Sequence, residues 1–154
     1  MEELELEERT ISIKRVSKVL KGGRDMKLLI CSAVGDLNSR VGIGFGKAKE
    51  IVEAVRKAKE RAKKNMIEVK HYKNTIPHLV FGKCGGAKIL IRPASPGTGI
   101  IACDSVGSIL ELGGVKDALT KSLGSSNTGN LAKATIDALS KLRTKEEVFK
   151  LRGV

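Results

Sequence analysis

Apolar and polar positions change their period along the first half of the chain. Alternating β-branched residues in TISIKRVSKV predict a strand, and the continuous apolar run MKLLICSAVG predicts a second, largely buried one. The glycines of LKGGRD predict the turn between them, and VGIGFG predicts a third strand after the polar turn DLNSR. From residue 47 to 65 the period is helical, with apolar positions at 48, 51, 52, 55, 58 and 62.

The second half starts near Asn74 with two more strands. HLVFGKC and KILIRPA predict strands joined at Gly85 and Gly86, and ASPGTG predicts a rigid loop after them. A short helix is predicted over 102–112. The segment GGVKDALTKSLG fits a strand or a frayed helix, and we favour the strand. SSNTGN predicts the cap of a last helix over 128–143, and the tail TKEEVFKLRGV is expected to be short and mobile.

Charge separates the two halves and points to a phosphate-bearing partner. The net charge is +12, but residues 1–9 hold five of the 17 acidic side chains and predict a solvated acidic arm with helical turns. Residues 10–73 carry 17 basic and six acidic side chains, and residues 74–154 carry 11 and six. Such a balance indicates nucleic acid or an anionic membrane as the partner. The first half is predicted to be the surface that binds it, since it carries the larger excess of basic side chains. No apolar run approaches the ~20 residues of a membrane span, and no signal core is present.

The segment RVGIGFGKAKE fails both nucleotide-binding patterns. A phosphate-binding loop requires Ser or Thr after Lys47 and glycine five residues before Gly46, but Ala48 and Val41 stand there. A dinucleotide fingerprint would need its third glycine at the position of Lys47. Nucleotide catalysis is therefore not indicated by this motif.

The alternation in this segment predicts a strand with one bare face. Its bare positions are Gly42, Gly44 and Gly46. Glycines there predict a close backbone approach, either by RNA or by the chain's own packing. If RNA makes this approach, we expect Lys47 and Lys49, in the first turn of the predicted helix, to form an anion site with the backbone amides of that turn.

Two basic constellations favour double-helical RNA. The predicted helix carries only three glutamates against eight basic residues over 47–64, and KRVSKVLKGGR places five cations around a glycine pair at a hairpin tip. A charged helix face is otherwise solvated surface, and the hairpin is otherwise a flexible basic turn. With one Tyr and no Trp, base stacking is not expected, so shape and phosphate recognition fit better.

Catalytic and metal-binding groups are sparse. Cys31, Cys84 and Cys103 are odd in number and far apart, which argues for a reducing compartment. His71 and His78 have no Ser or Cys near them in a recognisable order. A zinc site of Cys84, His78 and His71 is the weaker alternative to ordinary buried or surface roles. The sequence predicts no catalytic set, no metal and no cofactor.

Six ordered segments resemble the bacterial fifth protein of the small ribosomal subunit. They are RVSKVLKGGR, VGDLNSRVGIGFGKAKE, KAKERAKKNM, PASPGTGIIA, LELGGV and GSSNTGNLAKATIDAL, within about Thr10 to Leu142. The resemblance implies an α+β fold. A double-stranded-RNA-binding-like domain is expected over 10–73 and a left-handed β-α-β two-layer sandwich over 74–145, between the arm 1–9 and the tail 146–154. Some nucleotide kinases share the sandwich fold, so a nucleotide-dependent enzyme is the alternative, although a fold carries no activity by itself.

The resemblance also implies a function and partners. The protein is expected to be a cytoplasmic, non-enzymatic constituent of the small subunit that supports assembly and translational accuracy, with no membrane partner. Its hairpin is expected to bind small-subunit ribosomal RNA near the spectinomycin site. Its second domain is expected to contact the fourth and eighth small-subunit proteins, and the protein to help line the messenger RNA entry channel.

Site residues follow from the resemblance and the charge pattern together. The expected RNA-binding residues are Arg15, Ser17, Lys18, Lys21, Gly22, Gly23, Arg24, Gly42, Gly44, Gly46, Lys47, Lys49, Arg56, Lys57, Lys63 and Lys64. The expected protein-interface residues are Gly97, Thr98, Gly99 and Gly107. Gly107 stands where family members often carry arginine, so a contact through that arginine is in question here. Thr128 stands where proline is common.

Overall fold

A computed structural model describes residues 5–154 as two four-stranded sheets and four helices. The first half contains β1 (Glu7–Leu20), β2 (Gly23–Gly35), β3 (Arg40–Ala48), α1 (Ile51–Lys64) and β4 (Ile67–Glu68). The second half contains β5 (Val80–Cys84), β6 (Ala87–Pro93), β7 (Ile100–Ile101), α2 (Asp104–Leu112), β8 (Ala118–Gly124), α3 (Thr128–Ser140) and α4 (Lys145–Arg152). The predicted α+β fold class is confirmed.

The first sheet has the strand order β1-β2-β3-β4, and each neighbouring pair is antiparallel. β1 and β2 form the predicted hairpin, because Leu20 pairs with Gly23 and leaves Lys21 and Gly22 as the turn. The long strands project the hairpin tip beyond β3, whose pairing with β2 stops at Leu28.

Helix α1 covers one face of the first sheet with its smallest side chains. Its buried residues are Ala54, Ala58 and Ala62. The predicted apolar stripe is confirmed at Ala48, Ala58 and Ala62, which are buried, and is wrong at Ile51 and Val52, which are 55% and 80% exposed. The predicted start is also wrong, since the helix begins at Ile51 and not directly after Gly46. Alanines allow the helix backbone to approach the glycine side of β3, which larger side chains would prevent.

The second sheet has the order β5-β6-β8-β7, and β7 and β8 are parallel strands connected through α2. The favoured strand within residues 113–124 is confirmed as β8. The predicted helix cap is also confirmed, because the side chain of Asn127 accepts a hydrogen bond from the N–H of Gly129 at 3.1 Å. Helix α3 packs so closely on β5 that a Cβ at Gly82 would overlap the carbonyl oxygen of Ala134.

One hydrophobic core joins the two sheets. The face of the first sheet opposite α1 contributes Cys31, Ala33, Val41 and Ile43. The second half contributes Ile89, Ile91, Val106, Leu110, Leu112, Leu131 and Leu139. The N–H of Leu37 also donates to the carbonyl of Leu112 at 3.0 Å, and Arg9 pairs with Glu111. The limits 10–73 and 74–145 stay a prediction.

The N-terminal segment differs from its prediction. Residues 1–4 of the acidic arm lie outside the described residues, and β1 already begins at Glu7 where helical turns were expected. Glu8 binds Lys59 at 2.6 Å and Lys63 at 3.1 Å. Hydrogen bonding to Lys59 and Lys63 lowers the pKa of Glu8 against the opposing effect of burial. These ion pairs attach the start of β1 to helix α1.

The C-terminal segment is an ordered helix rather than the expected mobile tail. Thr144 and Glu147 form a capping box at the start of α4. The ammonium of Lys70 lies 2.7 Å from both carboxylate oxygens of Glu147, and it is the main cause of that carboxyl's lowered pKa. The pattern Thr-x-x-Glu in the sequence was the signal for this helix. Within residues 5–154, no helix combines the length and apolar composition of a membrane span.

Candidate nucleic-acid interface

The hairpin tip brings together the predicted cations of the first half. Arg15, Lys18, Lys21 and Arg24 are all exposed there. Among residues 5–154, none of these four has a carboxylate within ion-pair distance. A Cβ added at Gly22 would have no neighbour within 4 Å among residues 5–154. The tip therefore projects a surplus of positive charge, with Asp25 opposite Lys18 and paired with Lys27 as its acidic side chain.

Strand register divides the hairpin into two chemically different faces. The lysine face carries Lys14, Lys18, Lys27 and Lys47, as the pairs Lys14–Leu29, Leu29–Lys47 and Val16–Lys27 show. The arginine face carries Arg15, Ser17 and Arg24. Ile13, Val19 and Met26 also lie on the arginine face and are more than half exposed. The sequence prediction omitted Lys14 and Lys27 because face assignment requires the register of β1 on β2.

The lysine face continues onto the second half of the molecule. The ammonium of Lys14 lies 3.5 Å from Oδ1 of Asn127, the residue that caps α3. Lys133 of α3 lies over the ring of Phe45, 4.9 Å from its centroid. Lys14 of the first sheet and Lys133 of helix α3 thus border one surface.

The glycine row of β3 does not face a partner. Gly42, Gly44 and Gly46 are buried, and a Cβ at each would overlap the carbonyl oxygens of Ala62, Ala58 and Ala54 respectively. The predicted close approach exists, but helix α1 makes it. We therefore correct the assignment of these three glycines from RNA contact to helix packing.

The predicted anion site at the start of α1 is also not formed. Lys47 belongs to strand β3, and Lys49 precedes the N-cap residue Glu50. Glu50 and Glu53 place carboxylates where an anion would have to bind, which disfavours phosphate there. Lys47 is instead an exposed part of the lysine face.

The cations of α1 have acidic neighbours that the sequence pattern did not reveal. Lys57 pairs with Glu53 at 3.0 Å, Arg56 with Glu60 at 3.5 Å, and Lys63 with Glu8. Lys64 is exposed, with no such pair in the described part of the chain. Exposed pairs of this kind contribute little to stability, so a phosphate could displace them at low cost.

The loop after β6 adopts the special backbone that its glycines predict. Gly97 has φ +89° and Gly99 has φ +75°, in the left-handed region that favours glycine. Thr98 closes the turn, because its hydroxyl donates to the carbonyl of Ser95 at 2.8 Å. The N–H of Gly99 donates to the buried carboxylate of Asp117 at 2.9 Å. In the described part of the chain, a Cβ added at Gly97 or Gly99 would meet nothing within 4 Å.

Gly107 lies in α2, with Ala102 and Ile100 as the neighbours of an added Cβ at ordinary contact distances of 3.8 and 4.0 Å. A side chain at this position would therefore extend outward from α2 near β7. The structure brings Gly107 and the 97–99 loop to the same end of the second sheet, where β7 connects them.

The remaining polar groups show no reactive arrangement. Burial raises the pKa of the Cys31 thiol to about 11, against a smaller opposing effect of Lys133, which makes this cysteine a poor nucleophile. Within residues 5–154, no three His, Cys, Asp or Glu side chains form a group that could hold a metal ion.

The α+β fold and the projecting hairpin with its exposed cations have the charge pattern typical of a nucleic-acid-binding protein. The family model of the N-terminal domain of ribosomal protein S5 matches residues 6–70, and the model of its C-terminal domain matches residues 82–152. The chain belongs to the ribosomal protein S5 family. It is a structural, RNA-binding component of the small ribosomal subunit in the cytoplasm, with ribosomal RNA and ribosomal proteins as partners.

Proposed function

We propose that the β1–β2 hairpin is the element that binds small-subunit ribosomal RNA. The observation that carries this proposal is the exposure of Arg15, Lys18, Lys21 and Arg24 without a carboxylate partner in the described structure. Phosphates are the natural counter-charge, since they release counterions when lysine and arginine neutralise them. Gly22 and Gly23 leave the turn slim enough to enter a groove.

Supporting RNA contacts come from exposed cations beside the hairpin. Lys47 lies on the lysine face, while Lys49 and Lys64 are exposed at the two ends of α1. Arg56, Lys57 and Lys63 would exchange their carboxylate partners for phosphates. Lys47 extends the footprint along the sheet face opposite α1, and the cations of α1 and its ends extend it on the α1 side.

The second domain is proposed to hold neighbouring proteins. Gly97, Thr98, Gly99 and Gly107 lie at one end of the second sheet, on a loop and a helix surface that are free to receive a neighbour. The family resemblance supports the fourth and eighth small-subunit proteins as these neighbours. It also supports roles in subunit assembly, in decoding accuracy and in lining the messenger RNA entry channel.

A nucleotide-dependent enzyme is the second candidate, and only the kinship of the sandwich fold supports it. The glycine row that suggested a nucleotide loop packs on α1, and the family is structural and non-enzymatic. Turnover of ATP by the purified protein, above a heat-inactivated control, would contradict a purely structural role in the small subunit.

Salt-dependent binding of the isolated protein to small-subunit ribosomal RNA tests the hairpin proposal. The variant Arg15→Gln/Lys18→Gln/Arg24→Gln should bind at least about tenfold more weakly and reduce the log affinity–log salt slope by about 3. The control Lys73→Gln/Lys145→Gln/Lys150→Gln removes the same charge elsewhere and should change the slope far less. Equal slopes for the two variants would refute the hairpin as the binding element.

A further inference from the structure

The second sheet has one face that no element of residues 5–154 covers. Helices α2 and α3 pack on its inner face, against buried residues such as Ile89 and Ile91. The opposite, outer face consists of the alternate positions of β5, β6, β7 and β8. Its residues are Phe81, Lys83, Lys88, Leu90, Arg92, Ile101, Leu119, Lys121 and Leu123.

Register gives this outer face an apolar middle. Phe81 pairs with Leu90 across β5 and β6, and Leu119 lies between Arg92 and Ile101 across β6, β8 and β7. Phe81 is 44% exposed, and Ile101 is 56% exposed. Large apolar side chains clustered on an open sheet indicate a surface that a partner covers in the assembled particle.

The same face carries only one sign of charge. Lys83, Lys88, Arg92 and Lys121 are exposed around the apolar residues, and none of the nine outward positions is acidic. The ammonium of Lys88 lies over the ring of Phe81, 4.9 Å from its centroid. An apolar centre with a charged rim is the usual anatomy of a protein–protein interface.

We infer that the outer face of the second sheet binds a protein surface that presents carboxylates around apolar side chains. Charge complementarity selects this occupant, because four cations without an acid need negative partners. A second copy of this chain would oppose lysine to lysine across the interface. Single-stranded RNA is disfavoured because four of the five apolar residues are aliphatic, and bases stack on aromatic rings. Double-helical RNA is disfavoured because its phosphates would pair with the cations but leave the apolar centre against a charged backbone.

This surface is distinct from the hairpin, and it meets the end of the 97–99 loop at Ile101 of β7. It adds a site to the proposed protein contacts without relying on them, since its evidence is the exposure and charge of β5, β6, β7 and β8 alone. Failure of RNA binding by the hairpin would therefore leave this inference untouched.

Photocrosslinking in assembled small subunits is the direct test. The chain carrying Leu90→p-benzoylphenylalanine is incorporated into subunits, irradiated and digested, and the crosslinked partner is identified by mass spectrometry. We expect one protein segment rich in Asp or Glu, and no such product from the exposed control position Lys145→p-benzoylphenylalanine. A crosslink from position 90 to RNA, to a second copy, or to nothing would overturn the inference.

Charge reversal supplies an independent measurement. Lys88→Glu/Lys121→Glu should enter small subunits about tenfold less than the wild type in a mixed-incorporation competition, because like charges would meet across the interface. Lys73→Glu/Lys145→Glu is the control with the same net change and should compete normally. Equal incorporation of the two variants contradicts the proposal.

Two further measurements separate loss of the protein contact from misfolding and from loss of RNA binding. Circular dichroism melts show whether Lys88→Glu/Lys121→Glu folds. If this variant does not fold, the crosslink from position 90 alone decides whether the outer face binds a protein. Binding of the isolated variants to ribosomal RNA should be equal for the two charge reversals. A selective loss for Lys88→Glu/Lys121→Glu would assign the face to RNA instead and overturn the inference.

Discussion

Gly44 shows how a single hydrogen atom in place of a side chain determines helix packing. An added Cβ would overlap the carbonyl oxygen of Ala58 and the N–H of Ala62, both of which are helix backbone. Gly44→Ala should therefore lower the free energy of unfolding by about 1–3 kcal/mol, or more if α1 cannot shift. Thermal or urea unfolding of the purified variant measures this loss. Gly86→Ala, where the nearest atom lies 3.5 Å away, is the matched control and should be nearly neutral.

Cys31 and Cys103 should differ sharply in thiol chemistry. Cys31 is buried with a pKa of about 11, while Cys103 is exposed. At pH 8.5, iodoacetamide should alkylate Cys103 rapidly and leave Cys31 unmodified until the protein unfolds. Peptide mass spectrometry over time checks this order, and early alkylation of Cys31 would contradict its burial.

The raised pKa of Cys31 makes the free energy of unfolding fall as the pH rises. The unfolded thiol titrates near 9.0 and the folded one near 11, so the folded state retains the proton longer. The stability that the protonated, buried thiol of Cys31 contributes is therefore complete below about pH 9 and is lost as the pH rises toward 11. A Cys31→Ala variant should show a shallower decline in unfolding free energy across that window.

The hairpin is the element whose function depends least on the core. Gly22 lies in its exposed turn with open space around it. Gly22→Asp should leave the melting temperature almost unchanged but weaken ribosomal RNA binding, because the new carboxylate would face phosphates. Binding assays, subunit assembly and spectinomycin response measure the effect, and Gly22→Asn separates charge from size. Normal behaviour of the aspartate variant in all three would contradict an RNA-facing tip.

At the scale of elements, the sequence predicted strands better than helix boundaries. The hairpin and β8 follow from alternation and glycine turns, which are local signals. The exposure of Ile51 and Val52 did not follow, because large apolar side chains suggest burial, while the glycine row of β3 admits only the alanines of α1. The role of those glycines needed the position of α1, which no periodicity reveals.

Prediction of the candidate site had a similar limit. Cation density located the hairpin, but its lysine and arginine faces depend on the pairing of β1 with β2. Ion pairs such as Lys63 with Glu8 join residues far apart in the chain, so the charge count of α1 overstated its free positive charge. The outer face of the second sheet became visible only once α3 was known to cover the other side.

At the scale of the whole molecule, Gly99 lies between a strained loop and the shared core. Its N–H binds the carboxylate of Asp117, and its carbonyl accepts from Ala118 at 3.1 Å. We expect Gly99→Arg to alter misreading of near-matched codons, because a bulky charge would enter the proposed boundary with the fourth small-subunit protein. Binding of RNA by the hairpin should persist. A misreading reporter in cells carrying the variant measures the effect.

Gly99→Ala is the control for backbone strain at this position. Both variants must adopt φ near +75°, which costs about 1–2 kcal/mol for a non-glycine residue. Their melting temperatures should fall together, while only arginine changes misreading. Equal misreading for the two variants, or unfolding of the arginine variant alone, would remove the boundary explanation.

The core shared between the sheets has a consequence for how the chain is made. The first sheet leaves the ribosome early, but the face formed by Cys31, Ala33, Val41 and Ile43 is closed by Leu112 and Leu139. A nascent chain of about 70 residues therefore exposes this apolar face until nearly the entire polypeptide has emerged. At synthesis rates of about 5–20 residues per second, that interval lasts several seconds. We therefore expect chaperones to bind the exposed face of a newborn chain before that chain assembles into a new small subunit.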